Sequence, residues 1–527
     1  MKKIFIKLTT LITTTSLVFG LTACGTNTLQ NDFQLSYNLN NINQTSNFGF
    51  RSFATPADQL NIMDMSSGQV TVQSFNSELV LITAMGDRDK TSNLSIKASA
   101  QTNPERKTYK NNSVKFSKLS SVEINPLDMW LENQRITSAS YLKSNGAPRT
   151  SLYFRTKINV GDKQKFWIQD MRTGINNAKP VKQDFVLKKV TPHGYFWVDE
   201  SDLQGINLNG NIFNISEAAI DKMSQYWENV AYPTGAKYFG GISQISIDND
   251  PHFYFFLSSK LGTKVLGYFS PIDLIGKPTS NNHKILYIND LFATNELTAK
   301  YEGTINSTVI HEFQHFLNFD HKVFQPAVSG QEDKIVMEEL WLNEALSTLA
   351  EQLGGFGLPT NEPNSIGMVR NFLENAPSAP LVTNSYQKFQ YGQSYLFSLY
   401  LYEHFGKEKL TNALTNSNLA GIKNVENATG QPFSKTFTNW GLALCFDGLT
   451  KVPEYNYQTI DLHGTYGTHK FSGLKLTEVD SYPYNTNVTV DNWSFLPIKF
   501  NGGNGSSLLS INMKTTGKLL ATGVNLK

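Results

Sequence analysis

Val309-Ile310-His311-Glu312-Phe313-Gln314-His315-Phe316-Leu317 sets two histidines four residues apart in an apolar frame. Four residues is slightly more than one α-helical turn, so both imidazoles project from one face and can offer a nitrogen to a single metal ion. Glu312 then stands beside them. Ile305, Val309, Ile310, Phe313, Phe316 and Leu317 recur at helical spacing, and Lys284-Ile285-Leu286-Tyr287-Ile288-Asn289 upstream has the length and composition of a strand. Zinc takes nitrogen and oxygen donors tetrahedrally, and a catalytic site uses three protein ligands with the fourth position open to water. The stretch therefore predicts one Zn2+, with His311 and His315 as ligands and Glu312 as a base beside it.

A third ligand is sought downstream. Met337 to Glu351 reads as a second helix with Trp341, Glu344, Ala345 and Thr348 on one face. An acid on a core-facing stripe is costly unless a cation pairs with it, which makes Glu344 the expected ligand. Glu351, two turns further on nearly the same face, and Glu338, which points off it, stand behind it. A rival is His321, because His311-Glu312-x-x-His315-x-x-Asn318-x-x-His321 has the spacing of the metzincin motif, with Asn where Gly is usual. Asn tolerates the left-handed turn that would swing His321 to the metal. If the helix continues instead, His321 points away, and Met337, inside a helical run, makes a poor Met-turn.

At 527 residues the chain exceeds one ordinary domain, and 40% hydrophobic residues suffice for sizeable cores. Net charge is +2 with Lys and Arg scattered, so nothing electrostatic points to nucleic acid. A basic start (Lys2, Lys3, Lys7), an apolar stretch from Leu8 to Phe19 and a small-residue end fit an export signal too short to span a bilayer. Leu21-Thr22-Ala23-Cys24 resembles the lipobox of bacterial lipoproteins. That implies a signal peptide over 1–23 and an acylated Cys24 holding the chain to a lipid bilayer at the bacterial cell surface. Simple cleavage after Ala23 would leave a secreted protein instead. Cys445, the other cysteine, lies in an apolar run and reads as a buried residue.

Residues 24–67 are rich in Asn, Gln, Thr and Ser and read as a flexible tether. Short strand-like runs follow over 68–190, among them Ser151 to Phe154, Phe166 to Ile168 and Phe185 to Leu187, and predict a β-rich N-terminal domain. Between about Asn103 and Arg149 the pattern weakens and places no element. Strands and one helix lead over 191–319 into the His-bearing helix, and the chain stays helical to about Leu449. Strand-like runs return over 451–527 as a β-sandwich-like C-terminal module. The fold class is α+β.

His311-Glu312-Phe313-Gln314-His315, Asn318-Phe319-Asp320, Leu340-Trp341-Leu342-Asn343-Glu344-Ala345 and Tyr391-Gly392-Gln393-Ser394-Tyr395-Leu396-Phe397 together resemble the hyicolysin family of bacterial neutral metallopeptidases, in the gluzincin group. The likeness covers roughly 191–449. Ala345 stands where Gly is commoner, and His321 where an uncharged polar residue is expected. The resemblance implies a zincin-like catalytic domain over 191–450, with a mixed sheet and active-site helix above a helical lower half, flanked by small all-β domains. It implies zinc-dependent cleavage of peptide bonds in proteins or peptides, with Glu312 as general base. A downstream Tyr would donate to the developing oxyanion, Tyr391 first, then Tyr395 and Tyr386. The Trp-Leu-Asn-Glu stretch is also similar to zinc aminopeptidases, but their amine-binding Gly-x-Met-Glu-Asn strand is absent, which favours an endopeptidase. A different class of reading is a surface-binding lipoprotein that keeps the fold without turnover; an intact Glu312 argues against it.

Overall fold

The computed structural model describes residues 60–73, 77–87, 89–101, 125–148, 158–242, 247–384, 386, 388–501 and 508–525. The signal peptide expected over 1–23, Cys24, most of the tether and the run from Ser151 to Phe154 lie outside them. Four strands open the described chain: β1 (Asn61–Asp64), β2 (Gln69–Gln73), β3 (Ser77–Met85) and β4 (Thr91–Gln101). Helix α1 (Pro126–Asn145) follows, in the stretch where periodicity placed nothing. Next come β5 (Lys163–Asp170), β6 (Lys179–Thr191), β7 (Gly194–Asp199), a small hairpin of β8 (Ile206–Leu208) and β9 (Asn211–Phe213), and helix α2 (Glu217–Tyr226).

The sheet that carries the site is completed by β10 (Phe253–Leu257), β11 (Gly267–Phe269) and β12 (Ile285–Ile288). Its order is β11-β12-β10-β7-β6-β5. The three central strands β12, β10 and β7 run parallel, with Phe255 opposite both Phe196 and Leu286. Every residue of the three is buried. Phe196, Val198, Phe253, Phe255, Leu257, Leu286 and Ile288 face one core; Tyr195, Trp197, Tyr254, Phe256, Ile285 and Tyr287 face the other. An unbroken apolar run is what a strand covered on both faces requires. At one edge of the sheet, β11 pairs antiparallel with β12.

The runs Phe166–Ile168 and Phe185–Leu187, expected in the unit over 68–190, lie in β5 and β6 of this same sheet. The short turn at 192–193 folds β6 back on β7, and the antiparallel ladder this makes joins it to the parallel strands. Pairing, not chain position, sets the boundary.

Below the sheet lie α3 (Thr298–Phe319), α4 (Leu340–Leu353), α5 (Pro363–Asn375), α6 (Lys388–His404), α7 (Glu408–Thr415), α8 (Gly421–Thr429) and α9 (Phe433–Phe446). After a small hairpin of β13 (Thr465–Tyr466) and β14 (His469–Lys470), the chain ends in β15 (Thr477–Val479), β16 (Tyr484–Asp491), β17 (Leu496–Asn501), β18 (Leu508–Thr515) and β19 (Lys518–Asn525). These last five do not stand apart from the first four. They interleave as two sheets, β1-β19-β3-β17-β15 and β16-β4-β18-β2. Alternate residues Leu94, Ile96 and Ala98 of β4 and Leu509, Ile511 and Met513 of β18 fill the space between them. The sandwich thus draws on both flanks, where the sequence predicted one β region at each end. Its Leu81 and Phe495 close onto Gly441 of α9, where a Cβ would come within 2.5 Å and 2.6 Å of them. Among the described residues no helix is long and apolar enough to cross a membrane.

Candidate metal centre

Helix α3 owes its position to its apolar stripe. Phe313 meets Trp227 edge-on with ring centroids 4.8 Å apart, and Phe316 meets Phe253 at 4.7 Å. Gly235 admits this packing, since a Cβ there would lie 2.2 Å from the Phe313 ring. The stripe turns His311 and His315 toward α4, whose first eleven residues are all buried. Their Nε2 atoms stand 3.1 Å apart. Glu344 of α4 faces both, with Oε2 3.4 Å from His311 Nε2 and Oε1 3.4 Å from His315 Nε2.

Each of these three residues offers a donor atom within 4.8 Å of the others, and among the described residues no other group of three or more His, Cys, Asp or Glu does so. Donors ~2.1 Å from a tetrahedral ion stand roughly 3.4 Å apart, so the three separations fit one zinc-sized ion. Glu344 Oε2 accepts no well-aligned hydrogen bond although it is wholly buried. A buried carboxylate oxygen in that state calls for a cation.

The outer nitrogens of both imidazoles are tied. His311 Nδ1 lies 2.7 Å from Glu351 Oε1. His315 Nδ1 lies 2.9 Å from Asn343 Nδ2 and 3.0 Å from Ser347 Oγ, and that hydroxyl donates to Gln314 Oε1 at 2.6 Å. Ser347 Oγ is thereby able to accept from His315 Nδ1–H, which leaves the Nε2 lone pair directed inward. Asn343 belongs to the Trp-Leu-Asn-Glu stretch but carried no role from sequence, and Ser347 was not singled out, though both lie on the Glu344 helix one turn or less away.

The electrostatics follow from crowding. Burial disfavours the charged form of Glu344, yet His315, His311 and Arg135 together hold its carboxyl down at about 2. Burial likewise opposes charge on His311, but its contacts with Glu344 and Glu351 win and raise it well above the usual imidazole range. His315 is pushed well below that range by burial, against the pull of Glu344.

Glu312 is fully buried where α3 meets the sheet edge, and its Oε2 accepts the Phe269 backbone N–H of β11 at 2.9 Å. His321 takes no part. Helix α3 runs on through a wider turn (Asp320–Phe324), and His321 Nε2 turns to the Gly241 carbonyl at 2.7 Å. Glu338 pairs with Lys322 at 3.1 Å and accepts the Gly421 N–H, an arrangement that ties α8 to the chain before α4. Tyr395 donates to Gln352 Oε1 at 2.6 Å and accepts from Leu358 N–H. Tyr386 bonds to Ser394 and packs edge-on against Tyr391 at 4.9 Å. Tyr391 donates to Asp128 Oδ2 at 2.5 Å.

Asp128 belongs to α1, and so does a second unforeseen neighbour. Arg135, held by Glu132 at 3.0 Å, brings a guanidinium nitrogen to 3.8 Å from Glu344 Oε1.

Fold and site together define a mixed α+β protein with a buried His-His-Glu group able to hold a metal ion. No protein-family model matches the chain. It is similar to the neutral metalloprotease ShpI of Staphylococcus hyicus, with 24% identity over 304 residues, 56% of this chain and 64% of that protein. The match thus spans less than two thirds of the relative's length.

Proposed function

We propose that the chain is a zinc metallopeptidase with a zincin-like catalytic domain, allied to the hyicolysin family of the gluzincin group, and that it cleaves peptide bonds within proteins. The observation that carries the reading is the convergence of His311 Nε2, His315 Nε2 and the Glu344 carboxyl at separations suited to one zinc. Similarity to a neutral metalloprotease supports it independently.

His311, His315 and Glu344 would hold the zinc, which when bound would supply a Lewis acid for the scissile carbonyl and the attacking water. Glu312 takes the proton of that water and delivers it to the leaving amine, its carboxylate oriented by Phe269 N–H. The edge of β11 away from β12, next to Glu312, would offer backbone groups to which an extended peptide adds as a further strand. Tyr391 is the donor for the oxyanion once its hydroxyl leaves Asp128. The same reading makes 1–23 a signal peptide, exports the chain and anchors it to the bilayer by acylated Cys24.

Replacing Glu312 by Gln keeps a hydrogen-bonding side chain and removes the base. Cleavage of casein and of internally quenched peptides should fall by about 10²- to 10⁴-fold while bound zinc stays unchanged. Casein cleavage at the parental rate contradicts the assignment. Exclusive release of N-terminal residues would make the protein an aminopeptidase.

A further inference from the structure

Nothing can reach the proposed centre as it stands. His311, Glu312, His315 and Glu344 are each no more than 2% exposed. Helix α1 lies against this group, with an Arg135 guanidinium nitrogen 3.8 Å from Glu344 Oε1. Its sequence specifies a helix locally: the Asn125 side chain accepts Leu127 N–H at 3.0 Å, Pro126 opens the first turn, and Gly146, at φ 71°, donates to the Leu142 carbonyl to close it.

Along its length α1 occupies the groups that a substrate would use. Trp130 lies edge-on to Tyr268 of β11 at 5.8 Å, and Gln134 accepts from Ser270, just beyond that strand, at 2.7 Å. Asp128 takes the Tyr391 hydroxyl, and Arg135 stands against Glu344.

The inner face of α1 is not that of a permanent core helix. Of its nine buried residues, five are polar: Asp128, Glu132, Gln134, Arg135 and Ser138. Met129 and Ile136, by contrast, are 38% and 46% exposed. A helix that never leaves its bed buries its apolar stripe. A buried ion pair such as Glu132–Arg135 is no more stabilising than apolar packing of the same volume, and polar interfaces within a chain are those that separate.

Resting on the metallopeptidase reading, we propose that α1 is an intramolecular plug. Docked, it fills the substrate cleft and keeps the site latent; withdrawn, it frees β11, Tyr391 and the zinc group together. Observed activity then scales with the fraction of molecules in which α1 is undocked.

The test uses the full chain loaded with zinc and alters only α1 and the loop beside it. Leu131→Asp and Leu142→Asp remove apolar anchors of α1 and should raise hydrolysis of a quenched peptide about tenfold per bound zinc, through a larger undocked fraction. Gln134→Cys with Ser270→Cys, joined by a short thiol cross-linker, should abolish hydrolysis. Hydrogen exchange is followed in parallel: amides of 126–145 should exchange well ahead of those of 298–319, and cross-linking should slow them to the same rate. If 126–145 exchanges as slowly as 298–319 in the uncrosslinked protein, or the cross-linked protein hydrolyses at the parental rate, α1 is a fixed part of the fold and the proposal is overturned. If no form hydrolyses any peptide while 126–145 still opens, the peptidase reading fails and takes latency with it, and only the mobility of α1 is left.

Discussion

Helices α1 and α3 are of similar length and meet at the same buried site, yet they are built on opposite plans. Helix α3 packs Ile305, Val309, Phe313 and Phe316 into the core, and because that stripe fixes the roll of the helix, the face its two histidines share turns toward α4. Helix α1 turns Asp128, Glu132 and Arg135 inward and leaves Met129 and Ile136 in solvent. Burial driven by apolar area leaves a period in the sequence; burial made of ion pairs and hydrogen bonds does not. The first holds the His-His-Glu group in place, and the second is suited to moving.

That contrast can be strained at several points. The largest effect is expected in packing: Phe313→Ala removes a ring set among Trp227, Phe253 and Phe316 and should cost about 3 to 5 kcal/mol in denaturant melts, whereas Ile136→Ala on the outer face of α1 should stay within about 0.5 kcal/mol. Equal losses would erase the distinction.

Next is a pH effect in the turn that follows β11, beside the Gln134 contact. Burial raises Asp273 from 3.8 to about 6, against hydrogen bonds from Asn281 N–H and the Tyr287 hydroxyl. The folded state then holds this proton more tightly than the unfolded chain does. Its stabilising contribution is fully present below pH ~4 and is lost as pH rises to about 6, by about 3 kcal/mol. Asp273→Asn should flatten that part of the stability profile; an unchanged slope would show that another group is responsible.

A smaller shift is expected behind the metal group. Glu351→Gln leaves His311 Nδ1 a neutral partner in place of a carboxylate and should weaken zinc binding by about 10- to 100-fold in competition with a chelator. Unaltered affinity would mean that Glu351 does no more than fill space.

Much of this was legible from spacing alone. The i, i+4 histidines, the strand before them and the buried acid on a downstream helix follow from helical and strand periods, and the structure sets His311, His315 and Glu344 together. His321 was a true rival on spacing; the continuing helical turn carries it to Gly241 instead. The order Tyr391, then Tyr395 and Tyr386, rested on the resemblance and not on spacing, because their hydroxyl partners Asp128, Gln352 and Ser394 lie on three different elements. The interleaved sandwich was hidden for a similar reason: Leu94 pairs with Val488, nearly four hundred residues away, and period-two alternation names a strand without naming its neighbour. Helix α1 left only its punctuation, Asn125-Pro126 at one end and Gly146 at the other.

Zinc content of the purified protein, measured for the parent and for Glu344→Ala and His321→Ala, tests the central claim most directly. One zinc per chain should persist in the parent and in His321→Ala and disappear from Glu344→Ala. Zinc retained by Glu344→Ala and lost by His321→Ala would contradict it.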